Sequence, residues 1–237
     1  MSDVRAAALL LGVVACGLGG YAVPALIGRL PEPAEDPEHP KTPYATIATS
    51  PGLGAVAVLV AAAAGGVVGA SVGLAWPLLF LLPLVPVGVA LGVVDLRTHL
   101  LPTAVVWPTF VAVVLLAVVS ALLEADLAAL GRAGIGSAAV FAFFHLLWWL
   151  HPAGMGYGDV RISAVLGFAL GYLGWPELLV GIYGGFLVFA VSGFVVALVR
   201  RDRGVLRTSY PFGPFLLVGA LAGIAAGPEV WGYLVSG

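Results

Sequence analysis

Long apolar runs alternate with short polar or proline- and glycine-rich breaks along the whole chain. Most runs come close to the roughly 20 residues that a helix needs to cross the hydrocarbon core of a bilayer. The breaks divide the sequence into candidate spans near 6–28, 53–71, 74–94, 104–123, 134–150, 160–174, 177–199 and 212–234. The pattern therefore predicts an all-α, polytopic membrane protein with about eight transmembrane helices.

Composition and charge narrow the possible functions. The 237-residue chain is 61% hydrophobic and 9% charged, whereas globular domains carry about 25% charged residues. The formal net charge of −2 offers no basic footprint for nucleic acid, so we expect no nucleic-acid partner. The single cysteine, Cys16, excludes an internal disulfide and a CxxC metal site within this chain. The expected surroundings are the lipid bilayer.

The longest polar break lies between the first two spans, at about residues 29–52. It is rich in proline and contains the acidic residues Glu32, Glu35, Asp36 and Glu38. Such a composition is typical of a flexible loop rather than a folded domain. We therefore expect residues 1–237 to form a single integral-membrane domain with a polar cytoplasmic loop at 29–52. The acids could also attract a basic peptide substrate, which neutralising them and measuring the substrate KM would test.

Basic residues are distributed unevenly between the two sets of loops that eight spans create. The poorer set holds Arg5 and Arg132. The richer set holds Arg29, Lys41, Arg97, Arg161, Arg200, Arg201, Arg203 and Arg207. By the positive-inside rule the richer set is cytoplasmic. Two acids at span edges, Asp95 and Asp159, then fall together on the cytoplasmic side.

These two aspartates point to the chemistry. A carboxylate at the edge of an apolar helix is costly, so by default it marks a functional site. Asp159 follows the glycine-rich stretch Gly154-Met155-Gly156-Tyr157-Gly158. We expect these glycines to permit positive φ and the close approach of a substrate backbone. We also expect Asp159 to be a helix N-cap, where the helix terminus favours negative charge.

A stripe of small residues follows Asp159. Ser163, Gly167 and Gly171 recur every four residues, so they lie on one face of a helix. Small residues at this spacing let helix backbones approach closely in lipid. We therefore predict tight packing of this helix against another, the one that carries Asp95.

Two carboxyl groups within a few ångströms of each other can perform aspartyl-protease chemistry. Like charges that close cannot both ionise, so the pair shares one proton. The deprotonated member takes a proton from a water, which attacks the scissile carbonyl, while the protonated member donates to the carbonyl oxygen. This reaction needs neither a metal nor a cofactor, and we expect none. Asp95 and His99, four residues apart, offer two metal ligands without a third.

Several segments resemble the type IV prepilin peptidase family, the GxGD-type membrane aspartyl proteases. The stretch from Gly154 to Arg161 is similar to the family's G-M-G-x-G-D-[VIL]-K motif. Asp95 with Leu101-Pro102 resembles its first-aspartate segment. Two further segments are similar to the I-P-F-G-P-F stretch and to the end of the first span: Tyr210-Pro211-Phe212-Gly213-Pro214-Phe215 and Gly28-Arg29-Leu30-Pro31. The similarity extends over nearly the whole chain.

The resemblance implies an activity and a set of site residues. Asp95 and Asp159 would be the catalytic pair. Substrate binding would fall to Gly154, Gly156, Gly158 and Arg161. The implied reaction removes the short basic leader from prepilin-like, single-span precursors, as in type IV pilus assembly and protein secretion. The active site would lie at the cytoplasmic side of the cell (plasma or inner) membrane.

The chain departs from the family pattern in three places. Thr103 stands where asparagine or aspartate is common. Arg161 stands where the family usually has lysine, which keeps the positive charge but alters its geometry. Many members also carry a cytoplasmic domain with two CxxC pairs after the first span, linked to zinc and to N-methylation of the mature pilin. Here that place holds only residues 31–51, without cysteine. We therefore expect a peptidase without zinc and without methyltransferase activity.

Two other function classes stay open on the sequence. A small membrane transporter or channel could use the aspartates as an ion site. Transporters of this size more often show repeat symmetry, and the sequence has none that we detect. A signal-peptide-peptidase-like protease would carry its first aspartate in a Tyr-Asp pair, whereas Val94 precedes Asp95.

Overall fold

The computed structural model describes residues 2–32, 41–152, 155–200 and 211–236. Within these ranges the chain folds into α-helices and contains no strand. The helices are α1 Ser2–Gly20, α2 Val23–Gly28, α3 Tyr44–Ala48, α4 Leu53–Val72, α5 Leu78–Thr98, α6 Thr103–Glu124, α7 Leu127–Leu150, α8 Tyr157–Leu173, α9 Trp175–Arg200 and α10 Gly213–Ser236. In lipid a helix satisfies its backbone groups internally, which is why long apolar runs fold this way. The predicted all-α class is confirmed.

Glycine, proline and left-handed residues set the helix bounds. α4 begins after Gly52 and ends before Gly73, whose φ values are 79° and 74°. α5 and α6 each begin directly after a proline, where the missing N–H is not needed by the helix. The residues that follow the two helices as C-caps, His99 and Ala125, both have φ 55°, in the region that usually selects glycine.

Seven helices of the described chain are long and apolar enough to cross a membrane. α1 and α2 together form one of them, Asp3–Gly28, and the rest are α4, α5, α6, α7, α9 and α10. The remaining predicted span corresponds to α8. Its 17 residues rise only about 25 Å, against a hydrocarbon core of about 30 Å. The predicted polytopic architecture is confirmed, with α8 as its short and deeply buried member.

The chain divides into two compact units, Met1–Gly131 and Arg132–Gly237, with the boundary inside α7. In the first unit, α1 and α4 pack with their backbones in contact. A Cβ atom on Gly65 or Gly69 of α4 would overlap backbone atoms of Gly12 or Ala8 in α1. Glycine is needed at these positions because small residues alone allow helices to approach so closely.

The described end of the polar break between the first two long helices packs against α5 through α3. Tyr44 and Ile47 of α3 are 3% and 1% exposed and share a core cluster with Ile27 and Val94. We predicted a flexible loop here. The structure instead has a short helix, because two large side chains three residues apart find a buried surface on α2 and α5. The acids Glu35, Asp36 and Glu38 lie outside the described residues.

In the second unit, α9 and α10 pack through glycines, and aromatic rings fill the space beside them. A Cβ atom on Gly219 of α10 would overlap backbone atoms of α9. The rings of α7, α9 and the start of α10 form one cluster, consisting of Phe144, Phe186, Phe189, Phe212 and Phe215. Phe144 is fully buried. The cluster therefore fixes the start of α10 against two neighbouring helices of the same unit.

Candidate active site

Asp95 lies in the last turn of α5 and is 4% exposed. It shares a helix face with Leu91 and Thr98, both of which are buried. The helix ends just beyond it, where the N–H of His99 donates to the Asp95 carbonyl at 2.8 Å. The first predicted acid is therefore a buried residue at a helix end.

Buried side chains of α3 and α5 close this last turn off from solvent. The Thr98 hydroxyl donates to the Val94 carbonyl at 2.8 Å. Tyr44 of α3 lies in the same core cluster as Val94. Tyr44, Thr98 and Val94 are 3%, 4% and 0% exposed.

The side chain of Glu32 caps the N-terminus of α3, the helix that carries Tyr44. The two carboxylate oxygens of Glu32 accept hydrogen bonds from the N–H groups of Tyr44 and Ala45, at 3.0 and 3.1 Å. These are N–H groups that a helix N-terminus leaves without internal partners. Burial raises the pKa of Tyr44, the negative charge of Glu32 raises it further, and the neighbouring Thr98 hydroxyl opposes the shift. The phenol is thus kept neutral.

Asp159 lies in the first turn of α8, as its third residue, and is 6% exposed. We predicted Asp159 as the N-cap, but the N-cap is Gly156, with φ −69° and ψ 139°. The N–H of Asp159 donates to the Gly156 carbonyl at 3.0 Å. The helix starts earlier than predicted because Tyr157, whose ring packs on α7, joins its first turn. Asp159 still faces the positive end of the helix dipole.

The glycines before Asp159 differ from the prediction in their backbone conformation. Gly156 has φ −69° and Gly158 is helical, and among the described residues of this stretch no glycine has a positive φ. Gly156 is exposed, and a Cβ built on it would lie 3.5 Å from Oδ2 of Asp159, an ordinary contact. Gly156 therefore provides open space beside the carboxyl group. It does not provide the positive φ that we predicted. Gly154 lies outside the described residues.

Arg161 and Tyr157 stack within the first turns of α8. The guanidinium carbon of Arg161 lies 4.9 Å from the centre of the Tyr157 ring, a cation–π contact. Tyr157 meets Trp148 of α7 edge to face, with ring centroids 4.9 Å apart. His145, one turn earlier on α7, is 6.0 Å from the same ring. The turn that carries Asp159 is therefore fixed to α7 by Tyr157, which lies between Gly156 and Gly158.

α7 also holds α8 at its middle and at its far end. The Ser137 hydroxyl donates to the Ala164 carbonyl at 2.9 Å. The Arg132 guanidinium donates to the last carbonyls of α8, those of Gly171, Tyr172 and Leu173. A cation at this end complements the helix dipole and satisfies carbonyls that the helix leaves without partners. The alignment of α8 along α7 is thus fixed at three levels.

The predicted stripe of small residues on α8 also faces α7. A Cβ on Gly167 would lie 3.0 Å from the Gly136 carbonyl oxygen, and one on Gly171 would lie 3.2 Å from the Ala133 Cα. The predicted close packing is confirmed at these two glycines. Its partner is α7, whereas we expected the helix that carries Asp95. A short connection joins α7 to α8, and helices so joined usually pack as neighbours.

The other segments that carried the resemblance lie at helix ends. The Phe212 carbonyl accepts hydrogen bonds from the N–H groups of Phe215 and Leu216, at 3.0 and 3.1 Å, and so begins α10. Gly28 ends α2, and Arg29 follows as its C-cap. Tyr210 lies outside the described residues.

Two supporting residues, Tyr44 and Arg132, were not predicted as site residues. Tyr44 lies in a proline-rich polar break, but its spacing of three from Ile47 after Pro43 is a weak signal of a short helix with one buried face. Arg132 entered only the count of loop charges. An arginine inside an otherwise apolar run is costly, so its position was a signal for a specific partner.

Each unit supplies one buried aspartate at a helix end, Asp95 in the first and Asp159 in the second. A carboxyl group in such a place can exchange a proton with water or accept hydrogen bonds from a bound group. Across the part of the chain that the structure describes, no group of three or more His, Cys, Asp and Glu side chains is placed to hold a metal ion.

Comparison with known proteins gives consistent relatives. A profile of the type IV leader peptidase family matches residues 82–227. The chain is 34% identical over 140 residues to a prepilin leader peptidase/N-methyltransferase of Burkholderia pseudomallei (strain K96243), covering 56% of this chain and 41% of that protein. It is 30% identical over 166 residues to one from Aeromonas salmonicida, covering 68% and 54%. Leader peptidase HopD of Escherichia coli is 35% identical over 104 residues, covering 41% and 59%.

This chain therefore spans between 41% and 59% of the length of these relatives. The family profile matches more than half of the chain, and residues 82–227 contain both predicted acids and the glycine-rich stretch that precedes the second. No solved structure matches the chain significantly.

Proposed function

This chain belongs to the type IV leader peptidase family, and on that basis we propose that it is a membrane aspartyl endopeptidase that removes the leader peptide from type IV prepilin-like precursors. One observation carries the proposal. Asp95 and Asp159, both inside the family-matched region, are 4% and 6% exposed at helix ends that neighbouring residues hold in place. A membrane protein retains buried acids chiefly where they act.

The proposed reaction uses the two aspartates as one unit. They share a proton, because two carboxylates close together cannot both ionise. The ionised member takes a proton from a water, and the resulting hydroxide attacks the scissile carbonyl carbon. The protonated member donates its proton to the carbonyl oxygen, and the tetrahedral intermediate then breaks down to amine and carboxylic acid. No covalent enzyme intermediate forms.

Residues around Asp159 are proposed to bind the substrate backbone. Gly156 is exposed beside the Asp159 carboxyl group, so an extended peptide can come close there without meeting a side chain. We propose that Gly154 and Gly158 also take part in binding the substrate. Arg161 is stacked on Tyr157, which keeps its positive charge near the carboxyl-bearing turn. That charge favours an acidic or carbonyl group of the substrate.

The substrate class and the membrane side follow from the same proposal. The substrates are single-span, prepilin-like precursors with a basic leader, and cleavage takes place at the cytoplasmic side of the cell membrane. The excess of basic residues in one set of loops supports this side. The proposal treats residues 1–237 as one peptidase domain that includes both compact units.

We further propose that this chain lacks the N-methyltransferase activity that appears in the names of several relatives. The proposal is supported by the absence of cysteine between the first two spans, since Cys16 is the single cysteine of the sequence. Mass spectrometry of the processed pilin would then find an unmodified N-terminal amine. A methylated N-terminus, or one stoichiometric zinc ion in the purified protein, would contradict this part of the proposal.

Co-expression with a candidate prepilin tests the activity directly. Leader removal would be followed by gel shift and by mass spectrometry of the product. We expect cleavage by the wild type, and none by Asp95→Asn or Asp159→Asn at equal membrane levels, because each substitution removes a group that must gain or lose a proton. Cleavage that survives either substitution would rule out the aspartyl mechanism. No cleavage of a panel of prepilins by the wild type would contradict the proposed substrate class.

A cross-linking experiment tests whether the aspartates act as one unit. Replacing Cys16 by serine gives a cysteine-free chain, into which Asp95→Cys and Asp159→Cys are introduced together. We expect a disulfide or a short bismaleimide bridge to form within one chain. The control combines Asp95→Cys with Leu9→Cys, a substitution at an exposed position of α1, and should not cross-link. No bridge between positions 95 and 159 would contradict a shared proton.

A further inference from the structure

We propose that Glu32 is a positioning residue for Asp95, because its side chain holds α3 against α5 beside the turn that carries this aspartate. This inference rests on the proposed function for the role of Asp95. It gives a different role to an acid that could otherwise attract a basic leader peptide. Glu32 also lies outside residues 82–227, the region that the family profile matches.

Glu32 supplies the cap that the N-terminus of α3 lacks locally. The N-cap position is Pro43, which makes no side-chain hydrogen bond to the helix. The two carboxylate oxygens of Glu32 accept the N–H groups of Tyr44 and Ala45 instead, at 3.0 and 3.1 Å. A helix of five residues is too short to be stable by itself in water, so α3 depends on this cap and on packing. A basic leader would have to compete with both bonds for Glu32.

The buried face of α3 packs beside Asp95. Its inward side chains, Tyr44 and Ile47, are 3% and 1% exposed. They share a core cluster with Ala90 and Val94 of α5, which are four residues apart and so lie on one face of that helix. Val94 is 0% exposed and directly precedes Asp95. Successive side chains of a helix differ by about 100° in direction, so α3 supports the backbone of this turn from the face next to the carboxyl group.

The last turn of α5 needs a support of this kind. Its carbonyl groups lack partners within the helix, and helix ends open more readily than helix centres. α5 ends at Thr98, three residues after Asp95. His99 follows with φ 55°, a conformation that costs any residue other than glycine some free energy. Because Val94 packs against α3, loss of the Glu32 cap should loosen the turn that carries Asp95.

Three variants separate the cap from the charge of Glu32. Glu32→Ala removes both acceptor oxygens, and it leaves no buried cavity because Glu32 is exposed. Glu32→Gln removes the charge and keeps one acceptor oxygen. Asp126→Ala is the matched control, because Asp126 accepts the N–H of Ala129 at 3.1 Å and so caps the start of α7. Asp126 lies in the same compact unit as Glu32, so its replacement removes a cap of the same kind from another helix.

Hydrogen exchange on the full chain in lipid nanodiscs gives a readout that does not depend on activity. In Glu32→Ala we expect the amides of residues 44–48 to exchange about fivefold faster, the factor that corresponds to one lost helix cap. The amides of residues 94–99 should exchange about two- to fivefold faster, because the support from α3 weakens. Glu32→Gln should lie between Glu32→Ala and the wild type, and Asp126→Ala should leave residues 94–99 unchanged. Wild-type exchange of residues 94–99 in Glu32→Ala would overturn the proposal.

Prepilin cleavage by the same variants distinguishes positioning from leader binding. In Glu32→Ala we expect kcat to fall about fivefold, with KM within about twofold of the wild type. Glu32→Gln should recover part of the lost kcat, and Asp126→Ala should keep kcat within about twofold of the wild type. An acid that attracts a basic leader acts through its charge, so both Glu32 variants would then raise KM equally and leave kcat unchanged. That result would overturn the proposal.

Failure of this inference can be told apart from failure of the proposed function. Faster exchange of residues 94–99 in Glu32→Ala, together with a wild type that cleaves no prepilin, would retain the support of α5 by α3 and contradict the proposed function alone. Cleavage by the wild type with an unchanged kcat in Glu32→Ala would retain the proposed function and overturn the positioning role of Glu32.

Discussion

The guanidinium carbon of Arg161 lies 4.9 Å from the centre of the Tyr157 ring, one turn earlier on α8. The same ring meets Trp148 of α7 edge to face. Tyr157 is therefore in contact with a cation of its own helix and an aromatic ring of the next one, and it stands two residues before Asp159. The first turn of α8, which carries Asp159, is therefore held by the Tyr157 side chain, which packs on α7.

The first prediction follows from this contact. Tyr157→Leu removes both the cation–π and the edge-to-face interaction, so we expect it to lower the free energy of unfolding by about 1–2 kcal/mol. Tyr157→Phe keeps both ring contacts and should stay within about 0.5 kcal/mol of the wild type. Thermal unfolding in detergent measures both. Equal stabilities of the leucine and phenylalanine variants would contradict the role of the ring.

The second prediction compares two glycines on α7. A Cβ on Gly136 would lie 2.9 Å from the Gly167 carbonyl oxygen on α8, whereas one on Gly134 would meet nothing within 4 Å. We expect Gly136→Ala to push α8 away and to destabilise the protein by about 1–3 kcal/mol. Gly134→Ala should be neutral or stabilising by up to about 1 kcal/mol, because alanine favours a helix. Unfolding curves that place both variants on the same side of the wild type would be the contrary result.

The third prediction uses the left-handed end of α6. Ala125 has φ 55°, and its N–H donates to the Ala121 carbonyl. Ala125→Gly should stabilise the protein by about 1 kcal/mol, because glycine adopts this conformation without the steric cost that a Cβ imposes. The same substitution at exposed Ala112, inside the same helix, should destabilise by about 1 kcal/mol. Because Ala125→Gly should raise the melting temperature and Ala112→Gly should lower it, each variant is the control for the other in a thermal shift assay.

The fourth prediction concerns the pH dependence of stability. Burial raises the pKa of Tyr44 above the ordinary tyrosine value of about 10, and Glu32 adds to the shift. Between the ordinary pKa and the raised one, the folded state binds more protons than the unfolded state, so stability falls as pH rises. We therefore expect wild type to lose stability above about pH 10 more steeply than Tyr44→Phe. Parallel curves of stability against pH for wild type and Tyr44→Phe would contradict this account.

Much of the fold was predictable because it depends on local pattern. Apolar runs of membrane-spanning length were enough to predict the all-α class, and the family was predicted from short motifs and is confirmed by the match over residues 82–227. Helix ends were less accurate. Asp159 was predicted as a cap, yet the helix starts at Tyr157 because the ring of that residue packs on α7, a contact that no local pattern contains.

The candidate site was predictable only in its reacting groups. Asp95 and Asp159 stand out because acids are costly in an apolar chain, and the glycines stand out because they cluster directly before Asp159. The roles of all these residues remain predictions. The supports could not be predicted in the same way. Tyr44 packs in a core cluster with Val94 of α5 across a polar break, and Arg132 reaches the end of α8 from the facing helix, so both depend on which helices pack together.

The three contacts between α7 and α8 fix how many residues α8 can contain. Tyr157 is held at one end, Arg132 binds the carbonyls at the other, and 17 residues fill the distance between them. One residue inserted in the middle of α8 would turn the part before it by about 100° relative to the part after it and lengthen the helix by about 1.5 Å. Asp159 would then leave its face while the Arg132 contact stayed intact. The length of α8 is therefore as constrained as the small residues on its α7 face.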